Sequence, residues 1–260
     1  MILKYYQKLD DAISYLFSSV TNEKKLLKSI LKKKEIFYVD IGTNEGSYLE
    51  FLMKHFKFKK AVCFEPIKEL VEKVSKKFQK YNIEVHNFAL SSKRIKNRKF
   101  YHYNISSQSS LYEQNNLFQS LKNLKNIKKI DCKKFDDCFK NKEQIDFCKI
   151  DVQGEEVNVL KGMEKNLKKR KINLIKIEIS FTERYKNINS NFYDIVFFLK
   201  KFNYDLISIS KIKYKNERIL LMDAFFLKKY NYNLISISKI KYKNERILLM
   251  DAFFLSSNFK

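Results

Sequence analysis

From Ile36 onward, short apolar runs alternate with longer amphipathic stretches. The runs are residues 36–41 (IFYVDI), 61–65 (AVCFE), 83–88 (IEVHNF), 145–152 (IDFCKIDV) and 172–180 (INLIKIEIS). Each is a short, largely apolar segment with the length of a strand in a buried parallel sheet. Between them, Ser47–Phe56, Ile67–Tyr81 and Glu155–Lys168 carry helical spacing and suit right-handed crossovers between parallel strands. The alternation predicts an α/β fold with a mostly parallel sheet. Ahead of it, residues 1–34 predict two amphipathic helices acting as an N-terminal cover, with Tyr5, Leu9, Ile13 and Leu16 at helical spacing and Thr21 capping the second. Residues 89–144 are rich in Ser, Asn and Lys and predict a variable loop or hairpin region over the site.

The C-terminal end repeats itself. Residues 206–227 (LISISKIKYKNERILLMDAFFL) recur without change at 234–255. Two copies are too few for a stacked solenoid. Each predicts a hairpin, with strands at Leu206–Ser210 and Ile219–Leu227 in the first, and the helix at Phe192–Phe202 feeds that first copy directly. The expected organisation is a helical cover (1–34), an α/β domain (35–227) and a surplus hairpin (228–260) that lies at an exposed edge or swaps between chains.

Charge changes this picture less than its size suggests. Fifty-three Lys and Arg against 29 Asp and Glu give a net charge of +24, which on its face fits a phosphate-rich partner. The excess is nearly all Lys and is spread over the whole chain, beside abundant Asn, Ile, Phe and Tyr, so a solvated surface accounts for it and nucleic acid is not the expected partner. The cysteines Cys63, Cys132, Cys138 and Cys148 form no CxxC pair and share no zinc-like spacing with His55, His86 or His102, so no metal is implied. Reduced thiols, the early charges of the N-terminus and the lack of any apolar run near the ~20 residues that cross a bilayer predict a cytoplasmic protein without a membrane span.

In a chain with four glycines, their positions are informative. Gly42 and Gly46 fall in Val39-Asp40-Ile41-Gly42-Thr43-Asn44-Glu45-Gly46, a strand entering a turn and then a helix, where free helix amides can meet a ligand carboxylate. Asp40 is placed to meet a ligand ammonium. Asn44 stands where a dinucleotide fingerprint would have its second Gly. Glu65 ends the next strand, where a carboxylate accepts hydrogen bonds from both hydroxyls of a ribose. Lys149-Ile150-Asp151-Val152-Gln153-Gly154-Glu155 ends a third strand and brings Asp151 to the same crevice. On the neighbouring strand, Lys176, Glu178 and Ser180 share one face, and a buried Lys–Glu pair tying two strands together competes with a functional role for Lys149 and Lys176.

DIGTNEG, FEP, NFALSSK, SSLYE, KKFDD, IDFCKIDVQGEEVNVLKG and IKIEIS occur in an order and spacing that resemble the FkbM family of methyltransferases. The resemblance covers residues 35 to 181 and fades towards 227. It implies a Rossmann-like class I methyltransferase sheet, mostly parallel and closed by an antiparallel C-terminal hairpin, here duplicated in tandem; one copy fits that slot, and the first is expected to take it. The cofactor implied is S-adenosyl-L-methionine. Carried over by residue, Asp40, Gly42, Asn44 and Gly46 hold its methionine end, Glu65 its ribose, and Phe88 and Ala89 border its adenine. The implied reaction is O-methylation of a hydroxyl on a small molecule or glycan, as in surface polysaccharide or natural-product tailoring. A base must accept the hydroxyl proton; Asp151 comes first, Glu178 second and His102 third. The family pattern D-V-E-G-x-E departs here at Gln153, which removes one carboxylate. Two alternatives stay open: an RNA 2′-O-methyltransferase, and a cofactor-binding protein without turnover. Adenine N-methylation is excluded, because its Pro-rich catalytic turn cannot be built with Pro66 as the only proline.

Overall fold

Strand β1 (Glu35–Ile41) is buried from Ile36 to its end, so it needs neighbours on both edges and cover on both faces. The computed structural model describes residues 23–115, 124–140, 143–181, 184–188, 191–215, 218–228, 232–243 and 246–256. In it β1 pairs in parallel with β2 (Lys57–Phe64) on one side and β7 (Ile145–Ile150) on the other. With β3 (Ile83–His86), β8 (Ile172–Ser180), β9 (Tyr204–Lys215) and β10 (Arg218–Lys228) the sheet runs β3-β2-β1-β7-β8-β10-β9. Only β10 runs against its neighbours.

Helices cover both faces, as parallel connections require. Tyr38, Phe147, Leu174 and Phe225 pack against Leu27 of α1 (Glu23–Ile30), Leu49 and Leu52 of α2 (Ser47–Met53) and Val74 of α3 (Lys68–Lys77). On the other face Val39, Ile41, Cys148, Ile150, Ile175 and Ile177 meet α5 (Glu156–Gly162), α6 (Glu164–Lys168) and α7 (Phe192–Lys200). Just ahead of β7 lies one further turn of helix, α4 (Phe135–Cys138).

Three expectations need correction. The segment predicted as one helix from Glu155 to Lys168 breaks at Met163. A Cβ on Gly162 would lie 2.2 Å from the carbonyl oxygen of Ser91, so the helix end is pressed against a neighbouring backbone that admits only glycine. Residues 89–144 are not simply loop: β4 (Ala89–Leu90), β5 (Ile95–Tyr103) and β6 (Leu124–Lys133) form a second sheet in the order β4-β6-β5. Its inner face is set by Phe100, Ile130 and Cys132 at a period of two, while Lys96, Lys99 and Lys129 face outward. That alternation was available in the sequence but was masked by the density of Lys. His102, expected in a loop, sits on β5 and is buried.

Of the N-terminal cover, α1 is described; the first expected helix, with Tyr5, Leu9, Ile13 and Leu16, and the expected cap Thr21 of the second lie outside the described residues. At the C-terminus, β9 and β10 contain the first hairpin copy and extend the main sheet. The second copy forms β11 (Tyr232–Lys243) and β12 (Arg246–Ser256), which pair with each other in a separate two-stranded sheet.

Candidate active site

A cavity of about 320 Å³ opens at the carboxyl ends of β1, β2, β7 and β8, where ligands of open α/β sheets bind. The first wall is the turn after β1. Gly42 adopts φ +83° there, and a Cβ would lie 1.9 Å from the carbonyl oxygen of Asp151, so only glycine lets β1 and β7 close at this point. Asn44 is also left-handed, at φ 51°. Its side-chain oxygen accepts a hydrogen bond from Ser106 Oγ at 2.8 Å. Ser106 belongs to a 3₁₀ turn, Ser106–Gln108, that leads from the small sheet over the cavity mouth.

Glu65 forms the second wall and is 4% exposed. The backbone N–H of Asn44 donates to its Oε2 at 2.8 Å and that of Ile67 to its Oε1 at 2.9 Å. Burial pushes its carboxyl up to about 7, against the pull of those two N–H donors. Each oxygen therefore retains a lone pair beyond the one used by the backbone.

The third wall carries Asp151, Gln153, Glu155 and Glu178. Lys149 Nζ lies 3.3 Å from Asp151 Oδ2, 3.3 Å from Asp40 Oδ1 and 3.1 Å from the Gly42 carbonyl. Burial would raise the Asp151 carboxyl, but the Lys149 charge and donors from Gln153 and Lys149 hold it below the usual range. Glu178 behaves in the opposite way: burial, then the charges of Asp151 and Asp223, push it up to about 8. Lys176 gives it no ion pair, because its ammonium is taken by Glu23 at 2.7 Å and Asp223 at 2.9 Å. The two lysines thus serve different carboxylates, Lys149 those of Asp40 and Asp151, Lys176 those of Glu23 and Asp223. Glu178 is left over and holds its proton at neutral pH.

Glu155 is fully buried and anchors the roof. Arg98 of β5 forks onto it at 2.7 and 3.1 Å, Tyr112 donates at 2.6 Å, and Ser91 also donates. Such bidentate, charge-assisted contacts are among the stronger polar interactions. They fix the small sheet to the loop after β7.

The structure brings Gly42, Asn44, Glu65, Ala89, Asp151 and Glu178 to the cavity wall. Four other candidates stand off it. Asp40 lies behind the wall, fully buried against Lys149, with Oδ2 and the nearby Tyr38 hydroxyl lacking well-formed hydrogen bonds. Gly46 begins α2 at φ 76°, packed against Phe78. Phe88 stacks among Phe64, His86 and Lys133. His102 is buried on β5, and burial with the charges of Lys128 and Lys125 lowers its pKa, so it stays neutral. Not anticipated were Gln153, Glu155, Arg98 and the Ser106–Ser109 turn. Only Gln153 had a sequence signal, as a departure from the family pattern. Among the described residues no group of three or more His, Cys, Asp or Glu is arranged to hold a metal ion, and no helix is long and apolar enough to cross a membrane.

The family model of the Methyltransferase FkbM domain matches residues 40–206, well over half of the chain. The chain belongs to the FkbM methyltransferase family. Among solved structures, it is similar to the methyltransferase FkbM from Methylobacillus flagellatus, at 18% identity and a TM-score of 0.48 over 74% of this chain; it spans 44% of that protein's length. It is also similar to an rRNA methylase from Streptococcus thermophilus (14% identity, TM-score 0.44, covering 79% of this chain and 93% of that one). A third is TrmK of M. capricolum, solved with S-adenosyl-homocysteine (14%, TM-score 0.41, covering 81% and 70%). A search of curated proteins finds no significant match.

Proposed function

We propose that this FkbM methyltransferase transfers a methyl group from S-adenosylmethionine to a hydroxyl oxygen of a small molecule or sugar. The observation that carries the proposal is a single cavity lined both by Glu65, with outward lone pairs, and by the ionised Asp151. The donor set suits the cofactor: a carboxylate with two free acceptor positions fits a vicinal ribose diol, and the Gly42–Asn44 turn leaves backbone at the cavity edge without a Cβ in the way. Glu65 and the Gly42–Asn44 turn would hold the nucleoside and methionine ends, with Ala89 beside the base. Asp40 would act from behind the wall, sharing Lys149 with Asp151.

The cofactor, when bound, supplies an electrophilic methyl on a sulfonium leaving group. The remaining work belongs to the chain. The Ser106–Gln108 turn and the Glu155-anchored roof exclude water and orient the acceptor. Asp151 Oδ1 or Oδ2, ionised at neutral pH, accepts the proton of the acceptor hydroxyl. Protonated Glu178 beside it limits the local negative charge. The hairpin at residues 232–256 is surplus to the sheet under this proposal, and its strand edges offer a contact to a second chain.

The test is methyl transfer from isotopically labelled S-adenosylmethionine by the purified chain to saccharides, hydroxylated small molecules and RNA, with product linkage read by mass spectrometry. Label in an O-methyl ether of a sugar or small molecule is the expected result. Label in RNA ribose, with binding that weakens steeply with salt, would replace this proposal with the RNA alternative. Cofactor affinity without any labelled product would leave a binding protein.

A further inference from the structure

The side chain of Gln153 occupies the space between the two carboxyl groups of the third wall. Its Nε2 donates to Asp151 Oδ1 at 2.9 Å and to Glu178 Oε2 at 2.7 Å, using both of its N–H groups. Its Oε1 accepts from the Tyr185 hydroxyl at 2.8 Å, a hydroxyl that also lies 2.9 Å from the Gln108 carbonyl. Three of the amide's four hydrogen-bonding positions are therefore directed, and its orientation is fixed.

The backbone beneath it is equally constrained. Gln153 is left-handed at φ 53°, a conformation that non-glycine residues seldom adopt. The loop keeps it there: the Glu156 carboxylate accepts from the N–H groups of Val152 and Gly154, and Ser110 Oγ donates to the Gln153 carbonyl at 2.6 Å. Strain held by this many partners marks a side chain whose position matters.

Charge explains why the residue is an amide. Glu178 faces Asp151 and Lys149 from β7 and its following loop, Asp223 from β10, and Tyr185 and Arg184 from the segment after β8. Glutamate at 153 would add a third carboxylate between two others. An amide nitrogen satisfies both with no added charge.

Resting on the function proposed above, we propose that Gln153 is a positioning residue: its carboxamide clamps Asp151 and Glu178 at the place where the acceptor hydroxyl must arrive.

The test uses the full chain carrying ¹³C at glutamate side-chain carboxyls, with Glu178→Gln to assign the Glu178 resonance. Titrations of the native chain, Gln153→Ala and the isosteric Gln153→Glu are compared, and S-adenosylmethionine affinity is measured calorimetrically on each. Loss of the Gln153 donor should move the Glu178 midpoint upward by about half a pH unit or more in Gln153→Ala, and the extra charge should move it further in Gln153→Glu. Cofactor affinity should stay within about threefold, because the Glu65 wall is untouched. An unchanged Glu178 midpoint in both variants overturns the clamp. Absence of cofactor binding to the native chain would instead overturn the assignment of the Glu65 wall, and the titration would still decide the clamp by itself.

Discussion

Glu65 and Glu178 are the same residue type on the wall of the same cavity, and burial raises both. What differs is the means of holding them. Glu65 is gripped by two backbone N–H groups from its own turn and the neighbouring one, so its geometry depends on loop shape more than on any partner side chain. Glu178 is gripped by one side-chain amide and crowded by Asp151 and Asp223. A carboxylate fixed by backbone suits recognition of an invariant diol. One set by neighbouring charges suits a place where protons move. The contrast separates a binding end from a reacting end within one cavity.

The largest expected effect breaks the reacting end alone. Asp151→Asn should lower kcat by about two to four decades, the usual contribution of a positioned base, with cofactor affinity unchanged; single-turnover kinetics with the acceptor identified by labelling checks it. Second, Glu65→Gln should break the binding end alone. Two charge-assisted hydrogen bonds at about 1.5 kcal/mol each or more correspond to a loss of roughly 100-fold in S-adenosylmethionine affinity, whereas Glu178→Gln should shift it by less than about threefold, both by calorimetry.

The third is pH. With Glu65 raised to about 7 and its ionised form the acceptor, the proton must leave before the ribose can bind. Cofactor affinity should therefore be flat above pH 7 and fall about tenfold per unit below it. The rate at saturating cofactor should behave differently. Asp151 is already ionised, so kcat should hold steady from pH 7 down to about 5; a rise with pH up to about 8 would make Glu178 the base. Smallest is the response to charge at a distance. Asp223→Asn should lower the Glu178 midpoint from about 8, while Asp251→Asn, the same position in the second hairpin copy, should leave it where it is.

Much of this was legible beforehand. The five apolar runs became five strands of the main sheet with small shifts at their ends, because strands of a covered parallel sheet are rich in apolar residues. Gly42, Asn44, Glu65 and Asp151 could be placed at one crevice because parallel connections bring all carboxyl ends to the same edge. The roof was not legible. Arg98 and Glu155 are far apart in sequence, and nothing in a Lys-rich strand marks one Arg as the partner of one buried Glu. Nor could the sequence tell that Lys149 and Lys176 would leave Glu178 unmatched, since that depends on which carboxylates lie within reach across three strands.

The duplicated hairpin draws the boundary most clearly. Identical residues give β9 and β11 the same length, β10 and β12 the same length, and the same pairing at the turn, Arg218 with Lys215 and Arg246 with Lys243. Local propensity and turn chemistry determine that much. Farther along, Asp223 stands opposite Ser210 while Asp251 stands opposite Lys239, one residue out of step, and only β10 pairs with β8. Chain order and the free edge of the parallel sheet at β8 decided which copy docks. A strand carries its own preference for extension, but its register and neighbour come from the edge it meets.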